Sequence, residues 1–364
     1  LKKIDWYILK KFLTTFFFCV FLFTIIAVVI DISEKTDDFA KSGLSAGQIF
    51  TQYYLGFIPF IDALLFPLFV LIAVIFFTSK MAGRSEVIAI LATGTTYNRF
   101  LVPYWIGGGM LALLLMYSLA FVIPIANVKY TTFQARYVNV NSSYDPLVEN
   151  FQRSVYFRID SFTYSGIRNY DTTSKVGGPF FMHRVHNDQV VYNLRAQSIQ
   201  WDTTAKKWKL TGVVERTING VKENVKTQKT LMLAFNFKPI DLSRDEYTKD
   251  KLNTPQLYLY IQQQQLRGTE GLSTLQVEEY RRFATPISVL ILTLIGAVIA
   301  SRKVRGGSGA HLAIGFVSGA VFILMDRFST IFSTKGNLPP LIAAWLPNII
   351  FSFVAIYFYR KAPK

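Results

Sequence analysis

Residues 12–30, 100–128, 283–301 and 338–359 each run for 19 residues or more without a single Asp, Glu, Lys or Arg. A helix rising 1.5 Å per residue needs roughly 20 such residues to cross a hydrocarbon core, so each block is long enough to span a bilayer. Two further blocks are less clean: residues 52–79 contain Asp62, and residues 306–325 open on glycines and carry His311. Counting both gives six spans, three before and three after a polar stretch at 129–282. The chain reads as a membrane α-helical protein with an inserted domain. Its parts are 1–128 (spans one to three), 129–282 (the insertion) and 283–364 (spans four to six).

Lys and Arg in short loops set orientation, because they are retained on the cytoplasmic side. Lys2, Lys3, Lys10 and Lys11 precede span one; Lys80, Arg84 and Arg99 follow span two; Arg302, Lys303 and Arg305 follow span four; Arg360, Lys361 and Lys364 end the chain. Six spans put all of these on one side, so both termini are expected in the cytoplasm. The acidic loop with Asp31, Glu34, Asp37 and Asp38 then lies outside, with residues 129–282. The first apolar run ends Val28-Val29-Ile30-Asp31 with no small-x-small cleavage site, and is read as a retained span.

At 154 residues the insertion is long enough for a core of its own. Alternating runs such as 155–159 and 190–194, rich in aromatic and β-branched residues, predict strands. Turn chemistry separates them, including a hairpin cue at Asn219-Gly220. Short strands at this spacing predict an all-β sandwich or jellyroll. Thr254-Pro255 predicts an N-cap opening a helix to Gly268, and a second helix from about Leu272 is expected to run through Arg281-Arg282 into span four, a continuity able to transmit movement. The insertion holds 22 Lys and Arg against 15 Asp and Glu, which scattered surface positions explain before an anionic ligand does.

The catalytic motifs are missing. No Gly-x-x-x-x-Gly-Lys-Ser/Thr loop or His-Glu-x-x-His occurs, and Gly43-Leu44-Ser45-Ala46-Gly47 matches Gly-x-Ser-x-Gly without the strand a nucleophile elbow needs before it, so the chain is expected neither to hydrolyse ATP nor to act as an enzyme. Cys19 stands alone, and His183 and His186 point to opposite faces of a strand, so no metal or cofactor is expected on this chain. Ionisable residues in spans are functional candidates by default. Asp62, between Pro59 and Pro67, is either a hydrated cap or a cavity residue, and Asp326-Arg327 is expected to close span five. Between spans two and three, Arg84, Ser85, Glu86, Val87, Ile90, Leu91 and Gly94 outline a short helix, with Ser85 as N-cap, Glu86 on the positive end of the dipole and Gly94 as stop. Val87, Ile90 and Leu91 share a face, suited equally to a groove on a cytoplasmic partner or to the membrane surface.

These residues resemble a known family. Arg84-Ser85-Glu86 with its apolar helix and Gly94, the approach to Pro286, Asp326, Leu338-Pro339-Pro340 and Leu346-Pro347 are similar to the LptF/LptG (YjgP/YjgQ) permeases, over the whole chain. Asp5-x-Tyr7-Ile8 and the Asp326 region are nearer the LptG branch. The resemblance implies a permease subunit of an ABC transporter in the bacterial inner membrane, with a periplasmic jellyroll, exporting lipopolysaccharide. It implies an LptB-like ATPase dimer binding ATP and Mg, an LptF-like permease and an LptC-like bridge protein as partners, and no nucleic acid. The helix at 84–94 would be the ATPase-coupling helix, with Glu86 pairing a basic residue of the ATPase. Lys35 and Lys41 would meet lipid A phosphates, and Phe66 and Phe322 acyl chains, in a cavity lined by spans one, two and five. The chain departs from the family by carrying Asp37 and Asp38 there. A secondary transporter, disfavoured by the lack of midplane charge, and a scaffold that binds envelope proteins are the alternatives.

Overall fold

Lys3–Ser42 form one unbroken helix, α1, begun by Asp5 accepting the Lys2 backbone N–H at 2.6 Å and ended by Gly43 in the left-handed region. The apolar run predicted here thus occupies the middle of a helix that continues through the charges at 31–41. One stripe, Ile8, Phe12 and Phe16, is buried at four-residue spacing, while Phe17, Phe18, Phe21 and Ile25 are exposed. A helix apolar on every side but packed on one requires a nonaqueous surrounding or a partner.

The computed structural model describes residues 2–138, 155–171, 174–187, 189–220, 222–242, 248–268, 271–302 and 308–362. After α1, helix α2 (Ala46–Ile49) passes through a π turn (Phe50–Tyr54) into α3 (Leu55–Gly83), followed by α4 (Glu86–Ala92). Helix α5 (Tyr97–Tyr117) continues through another π turn into α6 (Ile123–Phe133). Among the described residues, eight strands and two single-turn helices, α7 (Pro239–Leu242) and α8 (Thr248–Lys251), come next, then α9 (Thr254–Arg267), α10 (Leu272–Ala300), α11 (Ser308–Thr334) and α12 (Pro340–Lys361). Among the described residues, six helical segments are long and apolar enough to cross a membrane. Lys303, Arg305 and Lys364 of the expected cytoplasmic set lie outside the described residues.

The chain divides into two compact units. The membrane unit comprises Leu1–Phe133, Lys249–Leu257 and Ser273–Lys364, and so takes in part of the stretch 129–282. Its centre is α3, where Val70, Leu71, Ala73, Val74 and Ile75 are fully buried. Helices α1, α6 and α11 pack directly on it. Gly56 makes the α6 contact possible, since a Cβ there would stand 2.6 Å from the Ala126 carbonyl oxygen and 2.8 Å from the Tyr130 nitrogen.

The second unit, Gln134–Thr248 with Tyr258–Leu272, is built on one antiparallel sheet, as the period-two alternation predicts. The strands are β1 (Val155–Asp160), β2 (Thr163–Ile167), β3 (Val176–Gly177), β4 (Phe180–His186), β5 (Gln189–Ala196), β6 (Ser198–Asp202), β7 (Lys207–Asn219) and β8 (Lys222–Leu233). Their order is β1-β2-β4-β5-β7-β6-β3, with β8 on β7. Strand β7 pairs with β6 over its first half and β5 over its second. The change of partner falls at Gly212, which has a φ of +64° and where an added Cβ would stand 2.7 Å from the Gln197 side chain. Trp208, fully buried, donates Nε1–H to the Phe237 carbonyl at 3.0 Å and anchors the core with Phe157, Tyr170 and Phe180.

Three boundaries differ from the sequence reading. The β7–β8 hairpin pairs Asn219 with Lys222, so Asn219 ends its strand and the turn begins at Gly220, one place later than Asn219-Gly220, while residue 221 lies outside the described residues. Helix α9 is capped by Asn253, not Thr254: Asn253 Oδ1 accepts from Gln256 N at 2.9 Å while Gln256 Oε1 accepts from Asn253 N. That reciprocal box holds the end more firmly than a lone hydroxyl, and Thr254 becomes the first helical residue. Helix α11 does not close at Asp326-Arg327 but runs to Thr334, because Asp326 is ion-paired and tolerated within the helix.

Gly56→Ala is expected to destabilise the membrane unit by about 1–3 kcal/mol, because both clashing groups are backbone and cannot rotate away. Gly47→Ala, with nothing within 4 Å of the new methyl, should leave the thermal midpoint level or higher. Comparing the melting of the two purified variants checks this.

Candidate functional site

At the end of the membrane unit where the basic residues gather, α3 stops at Gly83 and the chain turns through Arg84 and Ser85. Ser85 takes a φ of +62°, rare for a residue with a side chain, and its carbonyl accepts Ala89 N–H at 2.9 Å to start α4. Its hydroxyl does not cap α4, contrary to the sequence reading, because the left-handed backbone turns the side chain away from the first amides. Gly94, at φ +83°, ends the segment as predicted.

The docking face read from Val87, Ile90 and Leu91 needs correction. Val87 is 1% exposed in the same cluster as Met81, Tyr97 and Phe100, with Ile90 and Leu91 packed against that cluster. One apolar stripe on a seven-residue helix suffices only to seat it on its own bundle. The open face is Ile88, 52% exposed, with Ala89, Ala92, Thr93 and Gly94. Glu86, at the edge of this face, is held within the chain: Tyr7 donates to Oε2 at 3.0 Å, Lys11 stands 3.9 Å away and Arg84 4.0 Å. Lys11 also donates to the Tyr7 hydroxyl. The carboxylate thereby joins α4 to α1.

Towards the other end of α1, Lys35 is enclosed. Its ammonium lies 2.7 Å from Asp31 and donates to the Tyr53 hydroxyl, which with Tyr54 donates to the same carboxylate at 3.0 and 3.1 Å. The Tyr53, Phe57 and Tyr130 rings stand 4.8, 5.6 and 5.8 Å from the charge. Lys41, by contrast, is exposed and makes no ion pair among the described residues. Phe66 packs inside the bundle on Phe16, ring centroids 4.9 Å apart, and Phe322 meets Phe351 edge-on at 5.1 Å. Asp62, half-buried in α3, accepts from the Thr24 hydroxyl at 2.6 Å.

A second group of charges joins Asp326, read from the sequence only as the end of span five, to Glu278, Arg281 and Arg282, which were not read as a site. Arg281 reaches Asp326 at 3.0 Å and Glu278 at 3.6 Å. Arg282, 4% exposed, pairs with Glu278 at 3.6 Å and donates to the Lys249 carbonyl and Thr254 hydroxyl. These residues roof a cavity of about 230 Å³ whose apolar floor includes Phe60, Leu64 and Phe322. The available signal was Glu278, Arg281 and Arg282 at i, i+3 and i+4 just before an uncharged run. Burial, and then the negative charge of Glu278, pushes the Asp250 carboxyl up from 3.8 to about 6; Lys249, Arg281 and Arg282 pull the other way.

Two outcomes are expected. Lys35→Met leaves Asp31, 6% exposed, without its cation and should cost about 3–5 kcal/mol, most of it restored by adding Asp31→Asn. A double-mutant cycle on thermal unfolding measures this. The fold favours protonated Asp250, so that contribution is complete below pH 3.8 and lost as pH rises through about 6. The wild type should therefore lose more stability than Asp250→Asn between about pH 5 and pH 7.5, read as the difference of their melting curves.

The family described as lipopolysaccharide export system permease LptF/LptG matches residues 6–361. Over 98% of this chain and 98% of theirs, the lipopolysaccharide export system permease proteins LptG of Escherichia coli K12 and of Escherichia coli O6:H1 are each 21% identical to it. The chain belongs to the LptF/LptG permease family and is LptG-like.

Proposed function

We propose that this LptF/LptG-family chain is the LptG-type permease subunit of an ABC transporter that extracts lipopolysaccharide from the bacterial inner membrane. In this reading an LptB-like ATPase dimer binds ATP and Mg and supplies the energy, an LptF-like permease completes the membrane cavity, and an LptC-like bridge receives the lipid. The Lys and Arg bias supports a cytoplasmic side for both termini and α4 and a periplasmic side for the β unit.

The observation that carries the reading is α4. It is short, locked to its own bundle through Val87, and leaves Ile88 and Ala89 open beside Glu86. A rigidly seated element with a small apolar face and one charge suits a pocket on a soluble partner. Because Glu86 also holds Tyr7, and Lys11 stands beside it, force delivered to α4 passes directly into span one. The work is large: each methylene withdrawn from the bilayer costs about 0.8 kcal/mol, so a multi-acyl lipid needs an external energy source.

Of the two proposed phosphate ligands, Lys41 is the one free to meet an anion, while Lys35 is committed to Asp31. Phe66 and Phe322, the two proposed acyl-chain contacts, are both packed within the membrane unit, on Phe16 and Phe351.

The test is to purify the complex through this chain and measure lipid-stimulated ATPase activity. An ATPase is expected to co-purify. Glu86→Ala, Glu86→Arg and Ile88→Asp should each lower stimulation or retention by about tenfold, the effect of losing one well-buried interface contact. If no ATPase accompanies the chain, the ATP-driven reading fails.

A further inference from the structure

The roofed cavity of the membrane unit holds a polar inventory that its own residues leave incomplete. Asn127 and Asn348, each 4% exposed, line it. Each donates its amide N–H to a carbonyl, Asn127 to Asp250 at 3.0 Å and Asn348 to Ala284 at 2.7 Å. Those bonds fix the amide orientation and leave both Oδ1 atoms buried without a partner. Arg281 uses both terminal nitrogens on Asp326 and Glu278, and its Nε–H is likewise buried and unpartnered. Orphaned buried groups are rare in folded proteins, and three on one cavity point to an occupant that supplies two donors and an acceptor.

The charges narrow its chemistry. Among the described residues Lys249, Asp250 and Arg327, all on the cavity wall, make no ion pair; Arg327 is exposed, and the Asp250 carboxylate senses Lys249 and Arg327 through space. Cations and a carboxylate on one wall suit a zwitterion better than a simple anion, which Asp250 would repel, or a simple cation, which Arg327 would repel. A primary ammonium offers three donors; a quaternary one offers none. A phosphate is the acceptor that guanidinium and ammonium groups hold best.

The floor supplies the last constraint. Phe60, Leu64 and Phe322 make it apolar, yet about 230 Å³ is less than a typical small-molecule site of roughly 300 Å³ or more. A head group fits and acyl tails do not, so tails must run outside, where α11 exposes Val317, Val321 and Leu324.

We propose that this cavity is a head-group site for a glycerophospholipid carrying a phosphate and a primary ammonium. Arg327, Lys249 and Arg281 Nε hold the phosphate, and Asn127, Asn348 and Asp250 hold the ammonium. The site is separate from cargo extraction and does not depend on an ATPase, so its test is made without one.

The full-length chain, delipidated in detergent, is titrated with phosphatidylethanolamine, phosphatidylcholine and phosphatidylglycerol of identical acyl chains, and retained lipid is counted by native mass spectrometry. Phosphatidylethanolamine should be retained about tenfold better than the other two. Asn127→Leu with Asn348→Leu should abolish its advantage over phosphatidylcholine, and Arg327→Gln should reduce its retention. Should the buried double variant not fold, Asp250→Asn, isosteric and outside the spans, must erase the same advantage. Equal retention of the three lipids, or a preference untouched by Asp250→Asn and Arg327→Gln, overturns the proposal and leaves a water-filled cavity. Soluble glycerophosphoethanolamine should not displace the lipid; displacement would overturn the role given to the tails.

Discussion

Helix α3 is the element on which the membrane unit depends. In hydrocarbon no water pairs a stray backbone group, so each span must satisfy its own ladder, and side-chain packing decides how spans associate. Residues of α3 from Phe69 to Ile75 are buried, save the half-buried Ile72, and α1, α6 and α11 lie against it. Gly56 sets the distance to α6, where backbones touch. Arg84 and Ser85, where α3 ends, aim α4. Misplacing α3 would therefore move the docking segment, the Lys35 cage and the charged cavity together.

Charge at both ends of α1 is used inward first. Glu86 is tied to Tyr7 and Asp31 to Lys35, Tyr53 and Tyr54. An ion pair with exposed partners contributes little, as with Lys11 and Glu86 at 3.9 Å. Removing one member of a buried pair is costly because it strands the other. The Asp31 cage therefore fixes the geometry of span one against the π turn at Phe50–Tyr54, whereas Glu86 keeps a partly hydrated contact that an approaching partner can reach. This difference in burial separates a structural ion pair from one suited to relay docking.

What was legible in the sequence followed from periodicity and length. Uncharged runs of 19 residues or more located the spans, and alternation located β1 and β5. The ends were not legible from uncharged runs, since α1 continues through Asp31 and Lys35, an i,i+4 ion pair that a search for uncharged runs takes as a boundary. On α4 the apolar face was visible but its direction was not: Val87 and Ile88 are adjacent and equally apolar, and packing alone decides that Val87 turns inward. The cavity was hidden because Asn127, Asp250, Arg281, Arg327 and Asn348 share no local spacing.

That cavity also sits where the helices around it are weakest. Pro67 and Pro347 both line it, and each lacks the N–H that would close a turn on the residue four earlier. In α12 the carbonyl so released, that of Ala343, accepts the Ser329 hydroxyl at 2.6 Å, so a bond lost within one helix is regained between two. In α3 the corresponding residue, Ala63, is itself on the cavity wall. Helices missing a ladder bond bend there at lower cost than elsewhere. Whatever fills the space between α3, α10, α11 and α12 therefore sets how far those helices stand apart at the place where they resist least. A head group bonded to Asn127, Asn348 and Arg327 would tie three of the unit's segments through one molecule, which side chains anchored on separate helices cannot do alone.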